Sequence, residues 1–312
     1  MAIAFAAIGG RGGPLEALII VIVGVITFEL NRQILTLFSV DVGGSMTVFE
    51  FGGFYGATIA FLLRVTSQST GLENHKEYVS QKFNVTLALI GAAFCWVFFP
   101  TINMDIPTTL FIYSNGGIST IYCISATVVT AIGFSLLLNG KLMFRDVITA
   151  PIAGGVIIGS ASIYIYNPLE SLFFGVFAGI LQVLFNKLER KIGSNPFWSN
   201  GVLFLFGVQG FLGGLFSSVM RAINQTSGTY ATSYSNLIAK FVYNQRGQIS
   251  ATFITLGISI ITGIVVYILI RLVNQEQQDD YYHDKTYWIT NDDGISHHKQ
   301  VIEREDSELC YS

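Results

Sequence analysis

Asp41, Ser45, Thr47 and Glu50 lie among glycines and apolar residues in the stretch Asp41–Gly56, DVGGSMTVFEFGGFYG. A carboxylate just ahead of a helix that starts at Gly43 or Gly44 accepts backbone N–H groups that the first turn leaves unpaired, and the helix dipole favours a negative charge there. Asp41 is therefore read as a helix cap. Glu50 falls inside the apolar run, where an ionisable group is a functional hypothesis by default. Because it is one position away from Phe49, it is expected to face a neighbouring helix or subunit. Glu29 and Arg32 are three residues apart, so they share a helical face and can pair, which reads as internal packing. Glu170 opens another apolar run, where the dipole favours it. No nucleotide-binding loop, metal cluster or nucleophile–base pair appears, so no enzyme, cofactor or metal is expected. Cys95, Cys123 and Cys310 have no ligand or disulfide spacing and read as packing residues.

The elements that position these residues are membrane helices. Only 12% of the 312 residues are charged, against about 25% in a soluble domain, and mean hydropathy is +0.56. The expected fold is an all-α integral membrane bundle. Eight full spans are expected at Pro14–Leu37, Ser45–Leu63, Phe83–Phe99, Thr109–Leu138, Val147–Tyr164, Leu169–Phe185, Gly201–Met220 and Ser250–Val273. The fourth run is longer than a span needs, so part of it is expected to be loop or tilted helix. Residues Ala2–Gly9 are apolar but would cover only about 12 Å of a core roughly 30 Å thick. They read as the end of a helix whose beginning is absent, which places Met1 in or near the bilayer.

Two regions follow: a transmembrane domain, residues 1–273, and a tail, residues 274–312. The tail holds ten acids against three bases, a net −7, and the remainder is +4. That distribution points to no nucleic-acid partner. Arg11, Arg64, Lys76, Lys82, Lys141, Arg145, Lys187, Arg190, Lys191 and Arg271 collect in the loops of one side. The positive-inside rule assigns that side, with the tail, to the cytoplasm or the mitochondrial matrix.

Five ordered motifs resemble the ammonium transporter and Rh glycoprotein family. Asp41–Gly56 is similar to the Rh pattern D-x-G-x-S-M-T-I-H-x-F-G-x-Y-F-G. FCWVFFPTIN (Phe94–Asn103) resembles L-W-M-F-W-P-S-F-N, and GKLMFRDVITAPIAGGVIIGS (Gly140–Ser160) resembles G-K-L-x-x-x-x-I-x-N-A-x-L-A-G-G-V-A-V-G-T. NGVLFLFGVQGFLGG (Asn200–Gly214) is similar to G-x-x-N-L-H-G-x-P-G-x-x-G-G, and DDYYHDKTYW (Asp279–Trp288) to D-D-x-x-Y-W. AFAAIGGRGGP (Ala4–Pro14) looks like the end of the family's third helix. The resemblance implies an eleven-helix fold lacking its first two and a half helices, a homotrimer, and one narrow pore per subunit.

It also implies roles. Asp41 stands at the family's outer-vestibule aspartate, and Ile102 at an apolar gate that a phenylalanine occupies in the family. Phe49 and Phe206 stand where the family has its paired pore histidines, and Gln209 where it has proline. The histidines present, His75, His283, His297 and His298, all fall outside the spans. Two functions are therefore expected to compete. One is a pore-dead, structural subunit of a larger membrane complex. The other is a divergent channel for ammonia or another small neutral gas. Partners are the lipid bilayer and either other membrane subunits or a homotrimer, with ammonia or ammonium if the pore conducts. The resemblance places the chain in the plasma membrane; a role as a complex subunit would also suit the mitochondrial inner membrane.

Overall fold

The computed structural model describes residues 1–9, 14–37, 39–66, 82–104, 110–165, 167–192, 201–226 and 245–273. The acidic tail, all four histidines and Cys310 lie outside the described residues. Within them the chain is all helical: α1 (Ala2–Ile8), α2 (Pro14–Thr36), α3 (Phe51–Thr66), α4 (Lys82–Ile102), α5 (Leu110–Asn139), α6 (Phe144–Ile158), α7 (Pro168–Ile192), α8 (Gln209–Thr226) and α9 (Gln245–Val273). A π-helical turn precedes α3 at Ser45–Glu50, and another precedes α8 at Leu203–Val208.

Seven of these segments are long and apolar enough to cross a membrane. The chain is thus a multi-pass integral membrane protein. The stretch Val147–Tyr164, expected as one span, is instead a 15-residue helix, α6, followed by a 3-10 turn at Ser162–Tyr164. Hydrogen bonding ends the helix: Ser160 N–H is drawn to the Ser45 hydroxyl at 2.8 Å, and the Ser162 hydroxyl to the carbonyl of Asn103 at 3.1 Å. The long fourth run is one continuous helix of 30 residues, about 45 Å at 1.5 Å per residue, so it accommodates its length as helix rather than as loop.

α5 packs against α7 and α6, and α3 is held between α1 and α9. Phe51, Tyr55 and Ile59 of α3 are fully buried in one core with Ala4, Ile20 and Val266. The Tyr55 hydroxyl, which must find a partner when buried, donates to the Ile20 carbonyl at 2.8 Å. α2 and α4 leave most of their apolar surface uncovered within the chain. The Glu29–Arg32 pair forms, at 2.7 Å, but both side chains are about half-exposed. Internal packing is thus corrected: the pair lies on the exposed face of α2, with Gln33 also donating to Glu29.

Candidate functional site

The site is built from the two π-helical turns. Gly44 has φ +69°, a left-handed conformation that a side chain resists, and it opens the first turn. Its carbonyl accepts from both Val48 N–H (2.9 Å) and Phe49 N–H (3.0 Å), which widens the helix. Asp41 caps this turn from three residues upstream of Gly44. Its Oδ2 accepts from the N–H groups of Met46 (3.0 Å) and Thr47 (2.6 Å) and from the Thr47 hydroxyl (2.8 Å), and its Oδ1 from the Ser160 hydroxyl. Burial pushes the Asp41 carboxyl above its ordinary value, and the bonds from Ser160, Thr47 and Met46 oppose that shift.

The second turn meets the start of α3, just after the first turn, backbone to backbone. A Cβ at Gly53 would lie 2.3 Å from the Gly207 nitrogen, so no larger residue fits between them. This contact brings Phe49 and Phe206 together: their rings stack with centroids 5.9 Å apart and planes 16° from parallel. Phe99 of α4, 4% exposed, adds a third ring 5.8 Å from Phe49. The room for that ring comes from Gly155, where a Cβ would fall 2.4 Å from it.

Each stacked ring has a pocket-lining neighbour. Thr47 and Val48, just before Phe49, line a pocket of about 470 Å³ with Asp41, Gly44, Thr101 and Ile102. Leu205, just before Phe206, lines a second chamber of about 310 Å³. Ile102 is half-exposed on the first pocket. Glu50 is fully buried, and Gly210 of α8 abuts its backbone; neither its carboxylate oxygens nor the amide of the equally buried Gln209 has a partner.

A model of the Ammonium Transporter Family matches residues 13–287. The chain belongs to that family. Ammonium transporter Rh type C of Bos taurus is 29% identical over 304 residues, covering 92% of this chain and 65% of the relative. Ammonium transporter Rh type B of Mus musculus is 30% identical over 310 residues, covering 92% and 66%. The chain thus spans about two thirds of the length of these Rh relatives. In fold it is similar to Nitrosomonas europaea Rh50, with TM-score 0.68 and 22% identity, over 98% of this chain and 77% of the other. Candida albicans Mep2 superposes with TM-score 0.59 and 17% identity, over 82% and 55%.

Measured against the sequence reading of this family member, the structure unites Asp41 and Ile102 on one pocket and places Phe49 against Phe206. Glu29 and Arg32 do not reach the site. Phe99 is a ring partner that its motif does not single out, because the family's gate position falls on Ile102 three residues later. Nor does the sequence single out a buried polar cluster around Asp146, Ser135 and Asn186. The signal available was Asp146 and Asn186 within apolar surroundings.

Proposed function

We propose that this chain is a member of the ammonium transporter family whose pore is closed by an aromatic plug, and that it serves as a structural subunit of a membrane assembly. The observation that carries this reading is the stacked Phe49–Phe206 pair, in the positions that the family resemblance gives to the paired pore histidines. Phenyl rings offer no hydrogen-bond donor or acceptor. An ammonium ion passing them would shed water without replacement, a cost of several kcal/mol, on the order of that for any unpaired buried polar group. Ring-to-cation attraction returns roughly 0.5–2 kcal/mol, too little to compensate. The broad uncovered apolar faces of α2 and α4 support the second half of the reading, since partners or lipid must cover them.

The test is ammonia-driven pH change in liposomes. The purified chain should match protein-free liposomes, and Phe49→His combined with Phe206→His should raise the rate. A wild-type rate well above the lipid background overturns the plug. The subunit role is tested by native mass after mild detergent extraction: a homotrimer alone counts against it, and a larger particle with fixed partners supports it.

A second reading, conduction of neutral ammonia, is favoured by one observation. Asp41 opens on a pocket lined by Thr47 and Val48, next in sequence to Phe49, with its carboxylate held by four hydrogen bonds. In that case the wild-type liposome rate would rise, and Asp41→Asn would reduce it.

A further inference from the structure

Arg221 of α8 is buried, with only 2% of it exposed, and it stands apart from the arginines that meet acids. Arg32 pairs with Glu29, Arg145 with Glu189 and Arg190 with Asp146. Among the described residues no carboxylate pairs with Arg221. Burying an ion carries a desolvation penalty that only a counter-charge and well-placed hydrogen bonds repay.

Tyr164, in the 3-10 turn Ser162–Tyr164, repays part of it. The guanidinium carbon lies 4.6 Å from the centre of its ring, and Nη2 donates to its hydroxyl. The dipole of α8 is no substitute, because it favours a cation only within the last turn, and Arg221 lies five residues before Thr226. Nε and Nη1 are buried and donate to nothing. Arginine has only donors and does not lose its charge in a protein, so titration cannot relieve the site. What is missing is an acceptor and a negative charge together. A water would take an N–H group but leave the charge uncompensated.

The surroundings set the size and charge of the ligand. Tyr164 belongs to an apolar cluster with Ile165, Phe174 and Met220, so an ion here gives up most of its water. A divalent anion would lose far more hydration energy than a monovalent one. The guanidinium is itself weakly hydrated, and a weakly hydrated monovalent anion matches it.

We propose that Arg221 binds a halide ion, chloride by default, at the guanidinium N–H groups that Tyr164 leaves free. The ion joins α8 to the 3-10 turn. Arg221 lies 15 residues beyond Phe206, about 22 Å along a helix, so the site does not depend on whether the phenylalanine rings conduct.

The probes are sodium chloride and sodium bromide, compared with sodium gluconate and sodium sulfate at equal ionic strength, in thermal melts of the full chain in a non-ionic detergent. Chloride should raise the wild-type melting temperature saturably, by about 5 °C at a hundredfold excess over its dissociation constant, and bromide at least as much. General salt exclusion would order the anions the other way, with sulfate strongest. Arg221→Met should melt alike in chloride and gluconate. Arg221→Lys keeps a charge but loses the planar fork, and should weaken chloride binding about tenfold. Equal wild-type melting in chloride and gluconate, or a rise in which sulfate exceeds the halides, overturns the site. A chloride response kept in Arg221→Met overturns it too. Should that variant fail to fold, unchanged chloride affinity in Arg221→Lys does the same.

Discussion

The two π-helical turns present similar products by different means. The turn at Ser45–Glu50 is tied down by polar groups: Asp41 caps it, and Ser45 donates to the Val156 carbonyl at 2.7 Å while accepting from Ser160 N–H. The turn at Leu203–Val208 has no side-chain cap among the described residues and rests on apolar contacts, with Val202 and Leu205 largely buried. One turn is fixed by directional bonds and the other by shape. The second turn also touches α3, which continues the first turn, through the glycine contact between Gly53 and Gly207, close to the stacked rings.

Breaking the contact between α3 and the second turn should have the largest effect. Gly53→Ala drives a methyl group into the Gly207 backbone, which cannot move as a flexible side chain would, and should cost about 3 kcal/mol or more. Loss of a monodisperse peak after detergent extraction checks it; a normal peak and melting curve would show that α3 and the second turn are not held together through this contact. Next comes the ring stack. Phe49→Ala should cost about 3 kcal/mol, because Phe49 is 8% exposed and touches two other rings. Phe206→Ala should cost less, about 2 kcal/mol, since Phe206 is only partly buried. Thermal melts of the two variants in one detergent compare them directly, and equal losses would mean that both turns are packed alike.

The polar anchor belongs to the first turn alone. Asp41→Ala should cost about 1–2 kcal/mol, the usual range for a lost helix cap. Replacing Val202, which precedes the second turn, with alanine removes no hydrogen bond and tests packing only. The smallest effect is on pH dependence. Asp41 titrates above its ordinary 3.8 when folded, so the folded chain holds that proton more tightly than the unfolded chain. Its contribution to stability is full below about pH 4 and is lost as pH rises through the raised value. Asp41→Asn should flatten that part of the stability profile, and an unchanged slope would assign it to another group.

Much of the architecture was legible because it depends on composition and length. Apolar runs of 18 residues or more with few charges have few alternatives to a bilayer span, and Pro14, which lacks an N–H, suits the first position of α2. The cap was legible too, since Asp41 three residues before Gly44 has a local purpose that sequence distance reveals. The ring pair was legible only as two substitutions within recognisable motifs, 157 residues apart in the chain.

Other features depended on partners that no local pattern names. The break in α6 after Ile158 comes from Ser45, Asp41 and Asn103, all distant in sequence, competing for the serines at 160 and 162. The exposure of Glu29 and Arg32 depends on which face of α2 meets the core, and a helix apolar on nearly every side carries little moment to show it. Phe99 joined the rings because Gly155 left space for it, a fact of packing between two helices.

The sequence by itself determined that this chain is a membrane-embedded helical bundle, which family it resembles, and that no histidine lies within its expected spans. These follow from transfer free energies and residue identities, which are properties of the chain taken one segment at a time. Only the tertiary structure decided that Phe49 and Phe206 stack, that Gln182 keeps an unpaired acceptor oxygen in the wall of a chamber, and that the second π turn meets α3 through glycine. Those facts are distances between segments remote in the chain, and sequence spacing does not encode such distances.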